Sequence, residues 1–171
     1  MIHSVYLITI PATADGTGTI LLERHTSTQS FTEEMRFDEQ RIITLFTQSL
    51  WSRLQSAAAS PSPSGADYAS CLFGDEEQTL AVLGGGKDVV LVAIGSGNWD
   101  AFALEDALRS YHTVLKSLLR DKEGITSASV IKSYGDVLLA TEDFFYAGTT
   151  HFTSLDAINC SLDMSLEKIR H

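Results

Sequence analysis

The stretch DVVLVAIGSGNWDAFALEDALRSYHTVLKSLL, residues 88–119, decides the fold of this 171-residue chain. Residues 88–94 would be apolar on both faces of an extended segment, which predicts a strand in the centre of a sheet. A turn follows, with Asp100 or Asn98 as the expected helix cap and Gly124 as the expected end. The apolar residues after the turn recur at helical spacing and predict a long amphipathic helix: Leu104, Leu108, Tyr111, Val114/Leu115 and Leu118.

Further strand-like segments precede this stretch. Residues 5–10 and 20–25 are rich in β-branched and other apolar residues and predict a hairpin with a turn-rich loop. Residues 69–78 and 79–87 predict two more strands, and the LGGGK turn is short enough to join the second of them to the central strand. Because hairpin-linked strands pair in opposite directions, the sequence predicts one antiparallel sheet of five strands.

Three more helices are predicted from apolar periodicity. Residues 37–54 form the first, with Asp38 as its cap, and residues 153–169 form a short closing helix. The third spans residues 126–148, and its predicted buried stripe is Val130/Ile131, Tyr134, Val137/Leu138 and Phe144/Phe145. The predicted fold is therefore α+β, with element order β-β-α-β-β-β-α-α plus a C-terminal helix and helices on both faces of the sheet. We expect a single domain over residues 1–171, with a flexible Ala/Ser/Pro-rich insertion at about 56–67.

Composition narrows the classes of function. Twelve basic residues face 22 acidic ones, for a net charge of −10, which argues against binding of nucleic acid or direct adhesion to anionic lipid. No apolar run reaches the roughly 20 residues of a membrane span, and the opening stretch lacks the basic start of a signal peptide. Cys71 and Cys160 have no metal-ligand spacing and are expected to be reduced thiols. These features predict a soluble intracellular protein.

Motifs that would carry catalysis are incomplete. Gly84–Lys87 lacks the first glycine of a phosphate-binding loop, and Asp88 follows where a hydroxyl residue belongs. Gly95-Ser96-Gly97 follows a strand and opens a helix, but Asp100 replaces the third glycine of a dinucleotide fingerprint. The histidines lack ligand spacing, and two carboxylate runs, 75–77 and 142–143, read as solvated groups. His151 and the second run could form an acid–base pair, but an ordinary solvated surface contact is the favoured interpretation. We predict no enzyme activity, no cofactor and no metal.

Three stretches resemble one family when taken together. MIHSVYLI with GTILLERH is similar to an opening hairpin, residues 88–119 to a central strand that feeds a long helix, and VIKSYGDVLLATEDFFYAGTTHFTSLDAI to a third-helix segment with an acidic pair. In this order they resemble the longin-like small chains of vesicle coats, namely the sigma chains of clathrin adaptors and the zeta chain of coatomer. The longer first loop, the Ala/Ser/Pro insertion and the glycines of TLAVLGGGKDVVLVAI depart from that pattern and mark a divergent member.

The resemblance implies a non-catalytic subunit in intracellular protein transport. Such a chain packs on a large helical-repeat subunit beside a medium chain, and other subunits and small GTPases bring the assembly to the cytosolic face of Golgi or endosomal membranes. A longin-type regulator of a Rab-like GTPase, or a tethering-complex subunit, remains an alternative with the same fold. A small-ligand sensor domain or a small enzyme remains an alternative of another class.

Three side chains are candidates for the partner interface. Trp51 and Trp99 lie near the ends of predicted elements, where large aromatic side chains often anchor interfaces, although core packing is the ordinary explanation for a tryptophan. Leu45 lies with Trp51 on the predicted outward side of the helix at 37–54. We therefore predict a partner surface that includes Leu45, Trp51 and Trp99.

Overall fold

The computed structural model describes residues 1–10, 18–26, 68–73, 78–84, 88–120, 124–146 and 149–150. The predicted helices at 37–54 and 153–169 and the insertion at 56–67 lie outside these residues. The described strands are β1 (Ile2–Thr9), β2 (Ile20–His25), β3 (Tyr68–Phe73), β4 (Gln78–Gly84) and β5 (Val89–Gly95). The described helices are α1 (Ala101–Leu119), α2 (Ser127–Lys132) and α3 (Tyr134–Phe144).

The strands form one sheet in the order β2-β1-β5-β4-β3, and every neighbouring pair is antiparallel. The predicted α+β class with an antiparallel sheet is confirmed. β5 lies in the interior of the sheet, where it pairs with β1 on one side and β4 on the other, and all seven of its residues are buried. The prediction of a central strand in this segment is therefore confirmed, because a strand flanked on both edges and covered on both faces needs apolar side chains throughout.

Alternation along the strands divides the core into two clusters. On the first face of the sheet, Val5, Leu91 and Ala93 belong to one cluster with the buried side chains of all three described helices. The second face carries a separate cluster whose members are at most 2% exposed: Tyr6, Ile8, Leu80, Val82, Val90, Val92 and Ile94. Helix α1 packs on this first face of the sheet, which we call the helix-covered face. The side of α1 opposite the sheet therefore faces outward.

Helix α1 begins where its sequence signals predict. The Asp100 side chain accepts a hydrogen bond from the Ala103 amide at 2.9 Å, which satisfies one of the free amides of the first turn. The predicted apolar stripe lines the core side. The prediction that Gly124 ends α1 is wrong: the helix ends at Leu119, because Arg120 takes left-handed geometry (φ 51°) and its amide donates to the Ser117 carbonyl.

The segment predicted as one helix at 126–148 contains two. Thr126 and Ser129 form a capping box, in which the Ser129 amide donates to the Thr126 hydroxyl and the Thr126 amide to the Ser129 hydroxyl. At Ser133 the backbone leaves helical geometry (φ −113°, ψ 33°), and α3 begins at the next residue. The interruption redirects the chain, so the two short helices do not share one continuous face.

The interruption changes which side chains are buried. Val130 and Val137 face the core as predicted, but Ile131 is 64% exposed and Tyr134 is 45% exposed. The predicted stripe is therefore wrong at these two positions, since Tyr134 no longer follows Val130 by one regular helical turn.

A hydrogen bond between buried hydroxyl groups joins α1 to α3. Thr141 donates its only hydroxyl proton to the Val137 carbonyl at 2.7 Å, so the Tyr111 hydroxyl is the donor in its bond to the Thr141 oxygen. Both side chains are fully buried. The pair therefore satisfies the one polar group that Tyr111 brings into the core.

We expect Thr141→Val to lower the free energy of unfolding by about 2 kcal/mol, because the Tyr111 hydroxyl would be left buried without an acceptor. Tyr111→Phe removes the donor instead and leaves Thr141 bonded to Val137, so its expected effect is about half as large. Urea unfolding of both variants measures the difference. An equal or larger loss in Tyr111→Phe would contradict this assignment of donor and acceptor.

Candidate functional site

The turn between β5 and α1 holds Trp99, the one predicted interface residue that the structure describes. Trp99 is half-buried and packs against the helix-covered core. It directly precedes the cap residue Asp100, and a Cβ placed on Gly95 would approach both the Trp99 Cβ (2.9 Å) and a Leu104 methyl (3.1 Å). Trp99 and Leu104 thus occupy the positions of a hydrophobic staple, which fixes the angle at which the chain enters α1. Its contact with a partner stays a prediction.

Gly95 is required by this close packing. We expect Gly95→Ala to lower the free energy of unfolding by about 1 kcal/mol, since the added methyl would meet the Trp99 Cβ, which cannot rotate away. Gly135→Ala is the matched control: it lies in α3 with no atom within 4 Å of the added methyl, so it should stabilise the protein by about 0.5–1 kcal/mol. Thermal unfolding measures both. Changes of the same sign would contradict the packing explanation.

The same turn is tied to the start of β1. The Met1 amino group donates to the Ser96 carbonyl at 2.7 Å, and the Ser96 amide donates to the Met1 carbonyl at 2.9 Å. The His3 Nε2 atom and the Ser96 hydroxyl are also within hydrogen-bond distance, at 2.7 Å. Gly97 takes positive φ (67°). These contacts explain the Gly95-Ser96-Gly97 sequence structurally, because its residues form the turn between a strand and a helix.

A serine, a histidine and a glutamate form a chain of hydrogen bonds that the sequence did not reveal. The His25 Nδ1 atom lies 3.1 Å from the Ser4 hydroxyl, and its Nε2 atom lies 2.6 Å from a Glu23 carboxylate oxygen. The Tyr6 ring meets the imidazole edge to face. Alternation places Glu23 and His25 on one side of β2, but only the strand register brings Ser4 opposite His25.

The order of serine, histidine and carboxylate resembles a catalytic nucleophile, base and acid. Unlike a catalytic nucleophile, however, the serine is not accessible to solvent. Ser4 is 0% exposed on a strand paired on both sides, so its hydroxyl cannot meet a substrate. The arrangement instead joins the buried face of β1 to the neighbouring strand β2, and it satisfies a hydroxyl that would otherwise be costly to bury.

Two carboxylates that the sequence singled out have basic or hydroxyl partners. Asp88 accepts from the Ser127 amide at 2.9 Å and from its hydroxyl at 2.5 Å, which anchors the start of α2 to the start of β5. Glu142 pairs with Arg24 of β2 at 2.5 Å. His151 and the carboxylate run 75–77 lie outside the described residues. Within the described part of the chain, no group of three His, Cys, Asp or Glu side chains is placed to hold a metal ion.

Exposed apolar side chains on the described helices mark two surfaces. Phe102 is 81% exposed at the start of α1. Near the junction of the two short helices, Ile131 is exposed at the end of α2 and Tyr134 at the start of α3. Gly135 follows Tyr134, and no neighbouring atom requires a glycine there. We call these three residues the α2–α3 surface. Leu45 and Trp51, the other predicted interface residues, lie outside the described residues.

Comparison in sequence finds no protein-family model and no curated protein that matches this chain. Among the described helices, none combines the length and the apolar character that crossing a membrane requires.

Proposed function

We propose that this protein is a non-catalytic small subunit of a vesicle coat or adaptor complex, with a longin-like fold of five strands and helices on both faces. The observation that supports the proposal is the order of its elements. Strands β1 and β2 come first and pair with each other. Strands β3, β4 and β5 follow, β5 pairs with β1, and the chain continues from β5 into the long helix α1. This is the order that the resemblance implies for the described part of the chain.

The α2–α3 surface supports a role in assembly. Ile131, near the end of α2, and Tyr134, at the start of α3, both expose large apolar side chains, in the segment that resembles the family's third helix. Gly135 lowers helix propensity by about 1 kcal/mol relative to alanine, with no contact inside the chain to require it. An exposed glycine directly after the exposed Tyr134 lets the backbone of another protein approach closely, as packing against a large subunit demands.

The proposed partners are a large and a medium subunit of one coat complex, with a small GTPase acting through them. Membrane attachment is then indirect, on the cytosolic face of Golgi or endosomal membranes, which agrees with a net charge of −10. The predicted Leu45, Trp51 and Trp99 remain a second proposed contact with the large subunit.

Mild affinity purification of the tagged full chain from its own cells tests the proposal. We expect two large helical-repeat chains and one medium chain in near-equal amounts. Ile131→Ser combined with Tyr134→Ser should reduce their recovery at least about tenfold, because loss of two central apolar contacts typically removes more than 1 kcal/mol each. Leu45→Ser combined with Trp51→Ser tests the second contact in the same way.

Tyr146→Ser is the matched control, since Tyr146 is 65% exposed but lies beyond the end of α3. It should leave recovery unchanged. Recovery of a GTPase or a tethering complex in place of coat chains would favour the regulator alternative. A chain that purifies alone, with a small molecule retained under native mass spectrometry, would overturn the coat proposal in favour of a ligand-binding domain.

A further inference from the structure

The outward side of α1 carries an ordered stripe of side chains. Its buried side contains Leu104, Leu108, Tyr111 and Leu115, so the opposite side faces away from the sheet along the whole helix, which is about 28 Å long. Six exposed positions recur at alternating steps of four and three residues, and Ser117 is exposed beside them. The six are Phe102, Asp106, Arg109, Thr113, Lys116 and Arg120.

The chemistry of this stripe changes from one end to the other. An aromatic ring and a carboxylate, Phe102 and Asp106, occupy the N-terminal end, whereas the C-terminal end carries Lys116 and Arg120. Lys116 in the last turn also suits the helix dipole, but the dipole gives no reason for a phenylalanine that is 81% exposed.

The stripe is complementary to itself when reversed. A two-fold axis at the level of Tyr111 places Asp106 of one copy opposite Lys116 of a second copy. The same rotation brings Phe102 to the level of Arg120, an arrangement in which a guanidinium can lie on an aromatic ring. Each of these contacts occurs twice, as in every isologous dimer.

Charge near the axis does not oppose this pairing. The same rotation sets Arg109 opposite Thr113, so the two copies of Arg109 approach each other. Each guanidinium is already neutralised on its own helix, because Arg109 pairs with Glu105 at 2.6 Å. The centre of the stripe is therefore close to neutral, and opposite charges meet toward both ends.

From this pattern we infer that a second copy of this chain docks on the exposed stripe of α1, with the two helices antiparallel. One helix pair buries less than the roughly 800 Å² per partner of a standard stable interface, so the dimer is weak and depends on protein concentration. The inference rests on the α1 stripe alone and does not depend on the proposed role in a coat.

Sedimentation velocity of the purified full chain, over roughly a hundredfold range of concentration reaching about 0.5 mM, tests the dimer. The wild type should shift from monomer to dimer within that range, and less so in high salt. Asp106→Lys alone and Lys116→Asp alone each place like charges together at both symmetric contacts, so each should raise the dissociation constant about tenfold or more.

Mixing the two variants gives the decisive measurement. In a mixed pair, the lysine introduced by Asp106→Lys would face the aspartate introduced by Lys116→Asp, and the unchanged Asp106 and Lys116 of the two chains would meet as before. Association should therefore return to near the wild-type strength.

Asp136→Lys and Lys132→Asp, which change the net charge equally at exposed sites outside α1, are the matched controls and should dimerise normally. A wild type that remains monomeric throughout would overturn the inference. So would α1 variants whose mixture fails to associate while each keeps its native circular dichroism.

Discussion

Phe144→Ala is expected to lower the free energy of unfolding by about 3–5 kcal/mol, the largest effect of any substitution considered. Phe144 is fully buried, and its ring lies 5.3 Å from the Tyr111 ring and 4.7 Å from the Phe145 ring, measured between centroids. Truncation leaves a cavity among three rings that join α1 to the end of α3. Neighbouring rings on two helices cannot collapse to fill it without moving both helices.

Denaturant unfolding monitored by far-ultraviolet circular dichroism measures the loss. Tyr146→Ala is the control at a comparable sequence position, since its side chain is 65% exposed and its removal should change stability by no more than about 0.5 kcal/mol. Similar effects at the two positions would show that the aromatic cluster does not hold α3 in place.

Stability is also expected to fall steeply in alkaline solution because of Tyr111. Burial raises the pKa of the Tyr111 hydroxyl well above its usual value of 10.0. Above about pH 10 the unfolded chain releases this proton while the folded chain keeps it. Ionisation therefore stabilises the unfolded state but not the folded state. The free energy of unfolding should therefore decrease by up to about 1.4 kcal/mol for each pH unit above 10, until the folded-state pKa is reached.

Tyr111→Phe separates this contribution from that of the other titrating groups. The variant is less stable at neutral pH, but its stability should decline less between about pH 10 and pH 11.5 than that of the wild type. Urea unfolding at matched pH values gives both slopes. Parallel slopes for the two proteins would mean that Tyr111 ionises in the folded state as readily as in the unfolded one.

The segment at 88–119 was predictable because two independent periodicities agree there. An unbroken apolar run has no stable position except inside a sheet, and the stripe that follows has one helical face to bury. β2 was likewise placed at residues 20–25, where the structure has it. Pattern is informative in these places because each element buries its apolar side chains against the core.

The predictions failed where local backbone conformation, and not apolar periodicity, ends or interrupts a helix. Gly124 is the residue expected to end α1, yet Arg120 takes the left-handed geometry four residues earlier. Ser133 interrupts a stripe that continues in sequence, since Val130 and Val137 stay buried on either side of it. Composition does not distinguish a helix that ends at a serine from one that continues through it.

The candidate site was the least predictable part. Trp99 was singled out as an interface residue, which stays a prediction, but its place beside Gly95 and before the cap of α1 depends on the turn geometry. Phe102 and Ile131 were not singled out as exposed, because an apolar residue on a helix is ordinarily assigned to the core. The bond between Ser4 and His25 required the strand register.

The pairing of β1 with β5 imposes an order on folding as the chain is synthesised. β1 and β2 are made before the other strands and can pair at once, but the other edge of β1 has no partner until Val89–Gly95 has been made. During that interval the apolar strand Ile2–Thr9 keeps an open edge, which is a template for pairing with other chains. Chains released before residue 89 has been made should therefore be prone to aggregation, whereas chains released after residue 120 contain every strand of the described sheet.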